Sequence, residues 1–261
     1  MMRRRRDFSR KAFTSVLVAI AFAARVAAAQ ELAVVRTFAS EQEVTGLTEA
    51  IALWNELLPC SGPTWVPVDL LLVYSQNFDL TPSALVAAKE VQSSFENGTA
   101  WAPCFRSVFI ESANLSATED VYDNRGYAIR KDWVNGPNSV FRFILGSFFN
   151  GTFPATYDSF YFMEIDAVPV RPFWLDQFIA EATIYPRAAI RGSRYRGDSW
   201  DSFQTFLPDD LLLHINGNAI YNLRHPWLRW LYEQLEEEQS TEFNAIAFDL
   251  RMANLSLEGR E

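Results

Sequence analysis

Histidine is scarce in this sequence: His214 and His225 are the only two among 261 residues. That scarcity argues against a zinc centre built on imidazole ligands. Cysteine is equally sparse, with Cys60 and Cys104 alone. No long low-complexity tract interrupts the chain. Long apolar runs are missing too. The uncharged run Ala12–Ala24 is 13 residues, whereas a membrane span needs about 20. Basic charge is thin beyond the first residues. Residues 1–29 hold seven of the 23 Lys and Arg and one of the 32 Asp and Glu, leaving 16 basic against 31 acidic residues, a net of −15. Such a body repels phosphate backbones, which argues against nucleic acid as a partner. An anionic ligand would need a local Arg cluster or a metal ion.

What is present begins with a targeting pattern. Residues 1–29 run from an Arg-rich start through the apolar stretch to Ala27-Ala28-Ala29, the order of a cleavable signal peptide. The alternative is an uncleaved signal anchor, the only case in which a membrane is a partner. Either way residues 30–261 enter the secretory pathway, to stay in the Golgi or ER lumen, to be secreted, or to be held as a type II membrane protein. Four N-x-S/T sequons, at Asn97, Asn114, Asn150 and Asn254, make this a glycoprotein candidate. In an oxidising compartment Cys60 and Cys104 are expected to form one disulfide, with two free buried thiols as the alternative.

From residue 30 the chain alternates. Residues 32–40 and 68–76 are β-rich, the second a continuous apolar run suited to a strand covered on both faces. Residues 41–58 carry apolar side chains at helical spacing, and 81–98 open on Thr-Pro and close near Gly. Strand 105–113, helix 136–149, strand 159–170 and helix 172–185 follow. Later come a mixed stretch over 188–203, an apolar segment with a polar knot over 210–223, helix 225–238 and a short helix at 247–255. This order predicts an α/β fold, a mainly parallel sheet with helices on both faces, as a single domain over 30–261. Ligands of such sheets sit at the carboxyl ends of the strands.

Glu164 and Asp166 fall at such an end. On a strand, residues two apart share a face, and two acids there are costly unless paired or bound to a cation. They suit a hard divalent ion. They could also be a glycosidase pair, although two apart is too close for the usual opposed geometry. Or one could pair with Arg171 or Arg191. His214 is either a third metal ligand, a phosphate contact or a packing histidine. Arg191, Arg194 and Arg196 are diphosphate or acceptor contacts, or surface ion pairs. Asn216, Gly217 and Asn218 suggest a tight turn with exposed amides.

The segment "FMEIDAVPVRPFWLD" resembles the acid-x-acid region of GT-A glycosyltransferases, which often read "EPDxxPxxPxWL". "HINGNAIYNL", "GPNSVFRFIL" and "GSRYRGDSW" are similar to other landmarks of that fold, and the likeness spans about residues 130 to 225. The resemblance implies a lumenal, metal-dependent transfer of a sugar from a nucleotide-sugar donor to a hydroxyl acceptor, whether glycan, protein or small molecule. Mn²⁺ or Mg²⁺ would be held by Asp166 with Glu164, the first position being Glu where Asp is commoner, and His214 is the candidate third ligand. Thr37 and Phe38 would wall the nucleotide pocket. Arg191, Asn216, Gly217 and Asn218 would line the nucleotide-sugar site. Asp249 stands where such enzymes often carry the acceptor base, with Asp198, Asp201, Asp209 and Asp210 as rivals. The competing readings are a non-catalytic secreted carbohydrate-binding glycoprotein on a transferase-like scaffold and, further off, a glycoside hydrolase.

Overall fold

The apolar run beginning at Val68 forms a strand, Val68–Gln76, buried in all but its last residue. A computed structural model describes residues 30–122, 134–184, 188–195, 211, 213–237 and 246–258. The described elements run β1 (Leu32–Phe38), α1 (Glu41–Ala52), β2 (Val68–Gln76), α2 (Pro82–Glu96), β3 (Ser107–Leu115), α3 (Asn135–Asn150), β4 (Ser159–Met163), α4 (Trp174–Thr183), β5 (Ile190–Arg194), β6 (Ile215–Asn222), α5 (Pro226–Glu237) and α6 (Phe248–Glu258). They form one six-stranded sheet of order β3-β2-β1-β4-β6-β5. The pairings β3-β2, β2-β1 and β1-β4 are parallel, while β6 runs antiparallel to both β4 and β5. The expected mainly parallel α/β sheet is therefore present, with an antiparallel edge.

Alternation along the strands divides the interior into two layers. Leu32, Val34 and Phe38 of β1 join a core with α1, α2 and α4. Ala33 and Val35 join a core on the opposite face with α3, α5 and α6. Local chemistry sets the helix ends. Ser40 caps α1 by accepting the Glu43 N–H (3.3 Å), and Glu43 reaches back to accept the Ala39 N–H (2.6 Å), a capping-box arrangement. Helix α3 stops at Gly151, whose φ of 67° suits a residue without Cβ.

Three boundaries differ from expectation. The first helix ends at Ala52 and tightens into a 3₁₀ turn at Leu53–Asn55. The strand expected over 159–170 ends at Met163, because β6 pairs only with Ser159–Tyr161 and β1 only as far as Met163. Asn216, Gly217 and Asn218 form no turn; they lie inside β6. Arg196, Asp198, Asp201, Asp209 and Asp210 lie outside the described residues, as do residues 1–29. Among the described residues no helix is long and apolar enough to cross a membrane.

Cys60 and Cys104 are joined as a disulfide, each just before a strand (β2 and β3). The bridge closes a 44-residue separation, and the chain-entropy account assigns such a loop about 4 kcal/mol. Replacing both cysteines with serine should lower stability by about that amount. Urea unfolding is the measurement, and the site at the other end of the strands should be unaffected.

Candidate active site

Beyond Met163 the chain turns. The Ala167 N–H donates to the Glu164 carbonyl at 3.0 Å. Arg36, in the middle of β1 and fully buried, grips this turn from inside. Its Nη2 donates to the Ile165 carbonyl (2.8 Å) and its Nη1 to the Ala167 carbonyl (2.7 Å). The guanidinium fork matches two carbonyls two residues apart. Burial draws the Arg36 pKa down to about 10, against the opposing pull of Tyr161, Asp166 and Glu43. It stays cationic at neutral pH. A lone arginine inside the apolar run "LAVVRTF" is the sequence signal for this role.

The two acids therefore do not share a strand face, because they sit in a turn. Glu164 is half-buried, and Asp166 is exposed. Asn218 of β6 clasps Glu164 twice: its side-chain oxygen accepts the Glu164 N–H (2.8 Å), and its Nδ2 donates to the Glu164 carboxylate (2.7 Å). Asn216 in turn accepts from the Asn218 backbone N–H (3.0 Å) and Nδ2 (3.2 Å). Burial lifts the Glu164 pKa to about 7, helped by Asp166, Asp249 and Glu43 and opposed by the Asn218 bond. The buried acid Asp69 makes a useful contrast. It is satisfied by Arg106 Nε (2.9 Å) and by the Tyr157 hydroxyl (2.8 Å), a structural pairing. Glu164 instead faces other acids.

Glu164 and Asp166 border a pocket of about 180 Å³ together with Thr37, Phe38, Glu43 and Tyr122. Thr37 and Phe38 thus stand beside the acid pair. Glu43 and Tyr122 were not anticipated. Glu43 is a first-turn acid of α1 with no further sequence signal, and the Tyr122 ring packs on Gly136, where a Cβ would lie 2.5 Å from it.

His214 has contacts of its own. Its ring is buried and stacked on Tyr195 (4.8 Å between centroids). Its Nδ1 lies 2.6 Å from the Leu211 carbonyl and its Nε2 3.5 Å from the Asp249 carboxylate. Both ring nitrogens face partners, and among the described residues no three His, Cys, Asp or Glu side chains converge as a metal group. Asp249 opens α6, its other oxygen accepting the Leu250 N–H (2.8 Å). Arg191 forms an ion pair with Glu181 (3.2 Å) and lines a second pocket with Asn218. Arg194 is exposed on β5.

Gly217 has a steric task. A Cβ there would meet the Phe248 ring at 2.4 Å. The Gly217→Ala variant should push α6, and Asp249 with it, off the sheet. Overpacking of this kind costs about 1–3 kcal/mol, read as a lower melting temperature.

The Glu164 carboxyl supplies a pH signature. Its usual value is 4.5, and the fold raises it to about 7. Between these values the folded chain holds the proton more tightly than the unfolded chain does. The contribution to stability is complete below about 4.5 and is lost as the pH rises through 7. Metal-free wild type should therefore lose melting temperature relative to Glu164→Gln across that window. Parallel melting curves for the two proteins would refute the shift.

No protein-family model matches this sequence, and no curated protein matches it. Among solved structures, the chain is similar to the apo form of mouse xyloside xylosyltransferase 1 at 13% identity and a TM-score of 0.49, covering 88% of this chain and 83% of that one. It is also similar to the galactosyltransferase LgtC in complex with donor and acceptor sugar analogs, at 12% identity and a TM-score of 0.45, covering 85% and 70%. Neither likeness bears on the chemistry of the site.

Proposed function

We propose that this chain is a GT-A type glycosyltransferase that uses a divalent ion to move a sugar from a nucleotide-sugar donor to a hydroxyl acceptor. One observation carries the reading. At the carboxyl end of a parallel sheet, the Arg36-held turn sets Glu164 and Asp166 on a pocket walled by Thr37 and Phe38, while Asp166, Asp249 and Glu43 all press on Glu164 electrostatically.

That crowd of acids suits a cation. Carboxylate oxygens are the donors that Mn²⁺ and Mg²⁺ prefer. Asp166, exposed on the turn, and Glu164, held by Asn218, are the residues that would hold the ion. When bound, it would neutralise the charge that develops on a departing nucleoside diphosphate. The protein's own residues do the rest. Arg36 fixes the turn, Asn218 orients the Glu164 carboxylate, and Thr37 and Phe38 shape the nucleotide pocket. Asp249, beside His214, is the candidate base for the acceptor hydroxyl. The leader and sequons support work in the secretory lumen. Of the sequon asparagines, Asn97, Asn114 and Asn150 are exposed, whereas Asn254 lies within α6.

Calorimetric titration of the folded protein with UDP and GDP, with and without Mn²⁺, tests the proposal. Metal-dependent nucleotide binding is the expected result, and no nucleotide binding at all would sink it. Glycan binding without nucleotide binding would favour the carbohydrate-binding reading.

A further inference from the structure

Two cavities lie along α4. They share Tyr161, Gln177 and Phe178 as a common wall. The one nearer β6 has a volume of about 570 Å³ and reaches Asn218, the residue that clasps Glu164. The other, of about 540 Å³, begins at Ala167, next to Asp166, and runs beneath Val168–Phe173. The second borders the acid turn at Ala167 and the first is linked to it through Asn218, and each falls within the usual range for small-molecule sites, about 300–1,000 Å³.

Their linings differ in kind. The cavity beside Asn218 carries a ladder of planar polar groups. Gln177 donates to Glu181 (3.0 Å), and Glu181 pairs with Arg191 (3.2 Å). The rings of Tyr161 and Phe178, whose centroids are 4.1 Å apart, line the same cavity. Bidentate polar groups facing an aromatic wall suit a hydroxyl-rich ring, which presents C–H faces and O–H edges. The second cavity is lined mostly by apolar side chains, with Arg171 and the shared Gln177 and Tyr161 hydroxyl as its polar groups. Val168, Val170 and Phe173 stand exposed there, Val170 at 87%. Phe173 is held at a φ of 62°, a costly conformation for a bulky residue. Its N–H donates to the Leu58 carbonyl (2.6 Å), which fixes the loop that carries this apolar rim.

We propose that this trough binds the acceptor, and that the acceptor is an amphiphilic glycoside: its sugar ring lies between the Gln177–Glu181–Arg191 ladder and the Tyr161–Phe178 wall, and its apolar aglycone lies against Val168, Val170 and Phe173. The assignment as acceptor rests on the glycosyltransferase reading. It adds the class of acceptor and the residues that select it. A free oligosaccharide would fill only the polar cavity and leave the apolar one in water, which is unfavourable for so much exposed aliphatic and aromatic surface.

The test uses the full chain and matched ligands: the 2-naphthyl and methyl β-glycosides of glucose, galactose, mannose and xylose, with 2-naphthol as control, followed by calorimetry. For at least one sugar the naphthyl glycoside should bind about tenfold or more tighter than its methyl counterpart, the scale expected from burying part of one aromatic group. Val170→Asp, at an exposed position, should erase that preference and leave UDP or GDP binding unchanged. Arg191→Met should weaken both glycosides alike. Equal affinity for naphthyl and methyl glycosides, or naphthol binding as tightly as its glycoside, overturns the inference. If nucleotide binding persists in that case, the transferase reading stands without it. A naphthyl preference in a protein that binds no nucleotide sinks the transferase reading, and the assignment of the trough to an acceptor falls with it.

Discussion

Asp166→Ala should abolish metal-dependent nucleotide binding and lower sugar transfer about 100-fold or more, the scale of losing a group that acts on the charge developing at the reaction centre. Asp166 is the member of the acid pair that faces the solvent. Glu164 is already committed to Asn218 through one carboxylate oxygen, so it offers an ion less. The fold should tolerate the change. Asp166 sits in an exposed turn whose backbone is secured by Arg36 and by the Ala167 N–H, and surface substitutions of this kind usually stay within about 0.5 kcal/mol. A melting temperature within about 2 °C of wild type is therefore expected. Calorimetric titration with Mn²⁺ and nucleotide reads the first effect, and a thermal melt reads the second. Unchanged metal-dependent nucleotide binding in a well-folded Asp166→Ala protein would remove Asp166 from the metal site.

Arg36→Met should act on both stability and the site. The side chain is wholly buried and donates to two carbonyls of the turn. Hydrogen bonds from a charged donor contribute about 1.5–3 kcal/mol each, and an abandoned buried acceptor costs about 1–3 kcal/mol. A net loss of about 3 kcal/mol is a fair expectation once the cost of burying the guanidinium is set against it. For a chain of this size that corresponds to about 6–12 °C in melting temperature. The cation also draws on Asp166 and Glu43, so its removal leaves the acid cluster without that attraction and weakens the cradle for the metal. Arg36→Lys should rescue little, because a single ammonium cannot span two carbonyls as the planar fork does. Differential scanning calorimetry and Mn²⁺ titration of the two variants are decisive. An Arg36→Met protein that melts with wild type and binds Mn²⁺ normally would show the clasp to be dispensable.

Glu164 illustrates how far residue types alone could go. Its neighbours in sequence marked the carboxyl end of a strand, and the acid spacing suggested a cation. The pairing with Asn218, 54 residues away, was not legible, because nothing local specifies which strand lies beside β4. Strand β6 enters antiparallel to it, and that sets Asn218 against Glu164. The same blindness affected 216–218. Asn-Gly-Asn has turn chemistry by composition, yet Phe248 packs on Gly217 and the pairings with β5 at Ile215 and Ala219, on either side of these residues, keep them within the strand. Near a polar knot, His214 is chemically capable of ligating a metal, contacting a phosphate or packing, and residue type alone does not choose among these. Its partners came from Tyr195 and from the start of α6, elements with no local signal pointing to it.

By itself the sequence determined the periodic quantities: which segments alternate as strands and helices, which strands are covered on both faces, where the acid pair falls, and that two cysteines brace the opposite end. Those follow from side-chain spacing and composition, which are local. The tertiary structure alone decided that β4 stops at Met163, that Arg36 clamps the turn beyond it, and that Asn218 clasps Glu164 while the charges of Asp166, Asp249 and Glu43 act on it. Each of these depends on which distant strand or helix packs against the carboxyl end of the sheet. A buried charge acquires its meaning there, from the carbonyls and carboxylates that the fold brings within reach.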